Sequence, residues 1–397
     1  MKNVALVLSG GGFRGAFQVG ALNYLEQNWN TIFPDHEKLQ FDIVSGVSVG
    51  SLNGLLVASD EFSVLQELWM DIGKNGVEEI YSSDFINTQS KSDQLEIQAD
   101  FSTIKNKFIP NFNLGKIGVG QGFKLLFSKK QREKFIQSLA SEVGQEFKAN
   151  FNNFRSLANN QALKDKLSRF AKAEKIKGKF VCGYVSLNTG KFHSRLHSEF
   201  KSDSDFAKAV EASTAIPLVW EPVEQVEHDT GSDYQLVDGG VRDVSPLGSV
   251  IHMMDQKPGV ENVLVVINCS SGLNKADDYS QKNIAQLALR SLNDIAISEI
   301  FNNDLKEFID KNYILEQVRA ANPDLQIYDF NYRTGQQGKP LNRFKAVIIN
   351  PDPHVLGDSL VANEKLIKQR LAHGYEKAAH AFGEYLNQDD NRDFTVC

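Results

Sequence analysis

Three short glycine-bearing stretches, each set where an apolar run breaks off, restrict this chain to a narrow set of folds. They are Gly10-Gly11-Gly12-Phe13-Arg14-Gly15, Gly46-Val47-Ser48-Val49-Gly50 and Asp238-Gly239-Gly240. Val4–Leu8 is a continuous apolar run, as a strand buried on both faces of a parallel sheet requires. It stops at Ser9-Gly10, after which Phe13, Ala16, Phe17, Ala21, Leu22 and Leu25 recur at helical spacing. Phe41–Val44 repeats the pattern: it breaks at Ser45-Gly46, and Leu52, Leu55, Leu56 and Val57 follow at helical intervals. Two strand–turn–helix units in succession predict a three-layer α/β/α fold around a mostly parallel sheet.

Lys179–Val185 reads as a further strand, with a hairpin turn at Asn188-Thr189-Gly190. A helix near Asp205–Ala215, a strand running into Asp238 and a strand at Val263–Asn268 follow. A long helical pattern spans Gln281 to about Ala321, Ile327–Tyr332 and Ala346–Asn350 read as the last strands, and a helix over about 358–387 closes the chain. Residues from about 84 to 177 break this rhythm. Phe135, Leu139, Val143, Phe147, Phe151 and Phe154 there fall roughly on one helical face. The expected organisation is one domain over 1–397, with its core in about 1–83 and 178–350 and a helical insertion or cap over about 84–177.

The second motif is Gly-X-Ser-X-Gly between a strand and a helix, the pattern of a nucleophile elbow built on Ser48. Gly46 and Gly50 leave room for that sharp turn, although turn glycines alone would read the same way. The first motif also satisfies Gly-X-Gly-X-X-Gly, the dinucleotide-binding pattern. That reading needs an acidic residue at the end of the next strand to hold a ribose, and here the next strand ends in the serine elbow. The alternative is an oxyanion hole formed by the loop Gly10, Gly11, Gly12, Phe13, Arg14 and Gly15, in which consecutive N–H groups of Gly11, Gly12 and Phe13 at a helix start hold a developing negative charge. Arg14 would add a fixed positive charge or pair with a carboxylate.

Serine needs a base. Of eight histidines, His373 beside Gly374 is the best triad candidate, and it sits on a helical pattern. Asp238 follows the strand-like Gln235-Leu236-Val237 and precedes Gly239 and Gly240, so its carboxylate can sit at a strand end facing another strand-end residue. A partly desolvated carboxylate there can act as general base. An ordinary Asp-Gly-Gly turn is the other reading.

The 397 residues are 41% hydrophobic with a mean hydropathy of -0.32, and no run approaches the roughly 20 apolar residues of a membrane-spanning helix. The N-terminus lacks the layout of a cleaved signal peptide. Cys182, Cys269 and Cys397 are far apart and odd in number, which suggests neither a metal site nor a disulfide framework. The expected location is therefore cytoplasmic or peripheral at a membrane surface, with signal-independent secretion as an alternative. Net charge is -7, yet residues 101–180 carry 17 Lys and Arg against 5 Asp and Glu, together with 11 of the 26 phenylalanines. Such a block reads as a solvated helical cap, as a contact for an anionic membrane surface, or as a regulator's docking site.

Taken in order, the three motifs resemble the patatin-like phospholipase family. The likeness extends to Ala212-Ser213-Thr214-Ala215-Ile216-Pro217 and Trp220-Glu221-Pro222, upstream of the aspartate. It covers residues 4–60 and 180–250 well, and the phenylalanine-rich block hardly at all. The resemblance implies a Ser-Asp dyad with Ser48 as nucleophile and Asp238 as base, the Gly10–Gly15 loop as oxyanion hole, and no metal or other cofactor. It implies hydrolysis of fatty-acyl esters of phospholipids or lysophospholipids through an acyl-serine. An acyltransferase sharing that intermediate and a catalytically idle lipid-binding module are the alternatives. Val244 stands where the family often has asparagine, which puts the local loop bonding in question.

Overall fold

The computed structural model describes residues 2–88, 95–96, 107, 110, 144–146, 148–150, 153–256, 260–280, 282, 284–331, 334–387 and 394–396. The chain opens with β1 (Asn3–Leu8), a 3-10 turn (Gly12–Gly15), α1 (Ala16–Ile32), β2 (Ile43–Val47), α2 (Val49–Ala58) and α3 (Phe62–Asn75). Next come α4 (Gln161–Phe170), β3 (Lys179–Ser186), β4 (Phe192–Leu196), α5 (Asp203–Thr214), β5 (Val223–His228) and β6 (Gly231–Asp238). They are followed by α6 (Leu247–Asp255), β7 (Asn262–Ile267), α7 (Ile284–Leu289), a π-helical stretch (Arg290–Ala296) and α8 (Ile297–Ala321). The last elements are β8 (Tyr328–Asn331), β9 (Gln336–Pro340), β10 (Lys345–Ile349), α9 (Glu364–Asn387) and β11 (Phe394–Val396).

Nine strands form one sheet in the order β11-β10-β7-β1-β2-β3-β6-β5, with β4 also on β3. The pairs from β11 to β3 are parallel, whereas β4, β5 and β6 pair antiparallel. Side chains alternate across a strand, and β1 shows what they meet. Val4, Leu6 and Leu8 enter one apolar cluster with α1, α2, α3, α5 and α9, while Ala5 and Val7 enter a second with α6 and α8. β7 and β10 divide in the same way, so both faces of the sheet are covered and the three-layer α/β/α arrangement follows. No helix among the described residues is long and apolar enough to cross a membrane.

One strand expectation is met and one is corrected. Ile327–Tyr332 supplies β8, which pairs only with β9 in an exposed two-stranded hairpin outside the main sheet. Its alternating pattern fits a strand, and its residues are exposed. The last strand of the sheet is instead β11, parallel to β10. The helical pattern from Gln281 is realised as α7 and α8 joined through the π-helical stretch.

The basic block 101–180 lies largely outside the described residues, as do Phe135, Leu139, Val143, Phe147 and Phe151 of the expected helical face, and Cys397. Its end is described: Leu163 and Leu167 of α4 are buried in the same core cluster as α1 and α3, so this part packs as core.

Candidate active site

β3 brings Ser48 and Asp238 together. On one edge, Lys179–Gly183 pairs with β2, the last pair being Val47 with Gly183. Tyr184–Ser186 then pairs with β6, whose last residue, Asp238, lies opposite Tyr184. Because β4 pairs with Val181–Val185, overlapping both of those segments, it must occupy the other edge. β2 and β6 therefore share one edge of β3 and run toward each other. The residue after Val47 is Ser48, so the two side chains meet where the strands converge.

Ser48 has φ 57 and ψ -131, a conformation that few non-glycine residues adopt, and its backbone forms the turn from β2 into α2. The turn is tight. A Cβ on Gly46 would lie 2.2 Å from the Gly50 carbonyl oxygen, and one on Gly50 would lie 2.2 Å from that of Leu8. Side-chain bonds hold the elbow: Ser48 N–H donates to Ser213 Oγ at 3.0 Å, and Ser51 Oγ donates to the Gly46 carbonyl at 2.8 Å.

Ser48 and Asp238 are both buried. Asp238 Oδ1 accepts Gly240 N–H at 2.7 Å, and the Ser48 hydroxyl is a hydrogen-bond neighbour of the carboxylate. Burial pushes the Asp238 carboxyl up to about 7, against the opposing pull of those two hydrogen bonds. Gly239 packs on the Gly183 carbonyl, where a Cβ would lie 2.6 Å from the oxygen. A carboxyl that titrates near neutrality beside a serine hydroxyl can take and return that proton.

The glycine loop passes directly beside the serine, since a Cβ on Gly10 would lie 3.2 Å from Ser48 Cβ. Not all of its amides are available, and Phe13, expected among the donors, is committed elsewhere. Gly10 N–H donates to the Val244 carbonyl at 3.0 Å, Phe13 N–H to Ser359 O at 2.7 Å, and Arg14 N–H to Gly11 O at 3.1 Å. The N–H groups of Gly11 and Gly12 have no acceptor among the described residues, and Gly12 adopts φ +55. Val49 N–H, first in α2, lies on the residue after the serine, where nucleophile elbows provide a second donor. The bonding left open at Val244 is also visible: its carbonyl secures Gly10 while its side chain is buried in the second core cluster.

Among the described residues, Arg14 pairs with no carboxylate of the turn. Its Nε donates to the Gly357 carbonyl at 2.8 Å. That carbonyl belongs to a loop anchored by Arg370 of α9, which is fully buried. Its guanidinium donates to the carbonyls of Leu356, Asp358, Val361 and Phe13 at 2.7 to 3.1 Å. Ser213, Ser359 and Arg370 were not legible as supports of the site. An arginine on an amphipathic helix reads as a solvated face, and Ser213 carries no local signal beyond its place in the family-like segment.

His373 lies elsewhere, accepting Asp352 N–H at 3.0 Å and packing on Phe17 at 5.5 Å. His193 and His228 flank Asp233, five residues along β6 from Asp238 and thus about 16 Å away. Cys182 and Cys269 are buried, and burial pushes both thiols up to about 12, which suits packing and not nucleophilic work.

The family model described as patatin-like phospholipase matches residues 6–251. That span contains all three glycine motifs and both converging strands. No curated protein matches the chain. The crystal structure of VipD from Legionella pneumophila aligns at 13% identity with a TM-score of 0.39, covering 97% of this chain and 67% of that one.

Proposed function

The chain belongs to the patatin-like phospholipase family, and from that premise we propose that it is a phospholipase A or lysophospholipase working through Ser48 and Asp238. Lipid acyl hydrolysis is the family's general activity. The observation that carries the finer reading is the meeting of a strained, buried serine with a buried carboxylate at the junction of β2 and β6.

Ionised Asp238 accepts the Ser48 proton as the hydroxyl oxygen attacks the acyl carbonyl. The tetrahedral oxyanion is held by N–H of Gly11 and Gly12, with Val49 N–H as a further donor at the helix start. Collapse breaks the ester bond, and the alcohol leaves with the proton from Asp238. Water then adds to the acyl-serine, giving its proton to the same carboxylate, and the fatty acid departs as Ser48 recovers its hydrogen. A carboxyl poised near neutrality suits both proton transfers better than an ordinary, strongly acidic aspartate.

The test is mass-spectrometric profiling of a mixed lipid extract treated with wild type or Ser48→Ala. The expected result is free fatty acid and lysolipid from wild type and neither from the variant. Equal release by purified Ser48→Ala would remove Ser48 from the mechanism.

A further inference from the structure

A polar cleft of about 390 Å³ lies behind the glycine loop, bordered by Arg14, Cys269, Lys275, Lys282, Arg290 and Asp358 among others. Arg14 of the loop lies in its wall. At one end Gly10 meets Ser48; next to it Gly11 packs on Cys269, where a Cβ would lie 2.3 Å from the cysteine Cβ. Phe13 then bonds to Ser359, also in the cleft wall. Gly10 and Gly11 are adjacent, about 3.8 Å apart at Cα, so the wall at Cys269 begins one residue from the loop's serine end.

The lining holds both signs of charge, but they are unequally committed. Asp294 Oδ2 accepts Arg290 Nη1 at 3.1 Å, and Asp352 Oδ1 accepts Lys377 Nζ at 3.1 Å. Asp358 accepts N–H of Leu360 at 2.8 Å and of Leu95 at 3.1 Å, and Asp277 accepts N–H of Asp278 at 2.9 Å. The cations retain donors. Arg14 uses Nε on Gly357, while Lys275 Nζ meets no carboxylate among the described residues. Lys282 Nζ lies over the Tyr279 ring, 5.9 Å from its centroid. A phosphate offers more oxygen acceptors to such donors than a carboxylate does, and charge-assisted hydrogen bonds are the strong ones.

We propose that this cleft binds a phosphate group, and that the group is the phosphorylated headgroup of the ester lipid whose acyl bond is presented to Ser48. The headgroup assignment rests on the acyl-hydrolase reading above; phosphate binding does not. The 397-residue protein and a Lys275→Ala/Lys282→Ala double variant, checked for equal melting temperature, are titrated calorimetrically with inorganic phosphate and with sn-glycerol 3-phosphate. The same proteins are assayed on lysophosphatidate and on a monoacylglycerol with the same acyl chain. The expected result is binding of sn-glycerol 3-phosphate that the double variant loses. The wild-type preference for the phosphorylated ester, expressed as a ratio of kcat/KM values, should fall roughly tenfold or more, mostly through KM. Phosphate binding that needs the lysines, without any change in that ratio, would overturn the headgroup assignment and leave a site for free phosphate. Absence of binding by both probes, or binding undiminished in the variant, would overturn the phosphate site itself. Should wild type cleave neither ester, the hydrolase reading and with it the headgroup assignment fall, while the calorimetry still decides on phosphate.

Discussion

Ser213 Oγ accepts the N–H of Ser48 at 3.0 Å and donates to the carbonyl of Gly183 at 2.5 Å. One hydroxyl on the last turn of α5 thus ties the serine's own backbone to the point on β3 where β2 gives way to β6. Gly183 is the last partner of β2, so its neighbourhood is where the ladder changes hands. Ser213 is fully buried, and water cannot replace it.

Ser213→Ala should therefore impair turnover more than substrate binding. The substitution leaves a donor and an acceptor unpaired in a buried place, at about 1–3 kcal/mol each. The expected outcome is kcat reduced by about tenfold or more, a smaller change in KM, and a lower melting temperature. Steady-state kinetics and thermal unfolding of the same preparation check it; a changed KM at constant kcat would contradict a positioning role.

The Asp238 carboxyl at about 7 gives a pH dependence with two signs. Activity needs the ionised base, so kcat/KM should rise tenfold per pH unit below about 7 and level off above. Stability runs the opposite way. The folded-state value lies above the ordinary 3.8, so the native state keeps the proton over a window where the unfolded chain has lost it. This contribution is complete below about pH 4 and is lost as pH rises through 7. Asp243, pushed up to about 7 by burial and by Asp304, acts in the same direction. Asp238→Asn should abolish the kinetic limb and flatten the fall in melting temperature between pH 4 and 7, which differential scanning calorimetry measures.

Arg370→Ala should destabilise the fold by about 3–5 kcal/mol, because four backbone carbonyls lose the buried guanidinium that donates to them. The bonds to Leu356, Asp358 and Val361 hold the loop whose Ser359 fixes Phe13. Amide exchange at residues 10–15 should accelerate in the variant as well. Urea denaturation and hydrogen exchange by mass spectrometry test the two effects.

Gly50→Ala should disable the elbow. Its new methyl would lie 2.2 Å from the Leu8 carbonyl oxygen, a distance no backbone accommodates without moving β1 or α2. The expected result is insoluble protein or a folded protein without esterase activity, against Gly248→Ala as control, where the added carbon meets nothing within 4 Å.

What could be read beforehand follows from where each constraint resides. Gly46, Gly50 and the strand runs beside them are local, and a short stretch of sequence displays them. The β1 and β2 runs were visible because each strand is covered on both faces. The convergence of Ser48 with Asp238 depends on which edge of β3 each strand takes, a decision spread over residues far apart in the chain. The committed amides of Gly10, Phe13 and Arg14 depend on Val244 and Ser359, whose carbonyls carry no side-chain signature. β8 shows the opposite failure: its alternation gave a strand correctly, but periodicity says nothing about which sheet receives it.

The shared edge of β3 works as a ruler. Val47 and Asp238 face consecutive residues, Gly183 and Tyr184, so one peptide unit sets the gap between the two ends. Removing either residue would reverse the pleat beyond it and turn one partner away. Lengthening a surface connection elsewhere would leave that gap untouched, at a cost that grows only with the logarithm of its length. Such a scaffold can change its outer segments, and with them what it docks against, while its reacting pair stays in register.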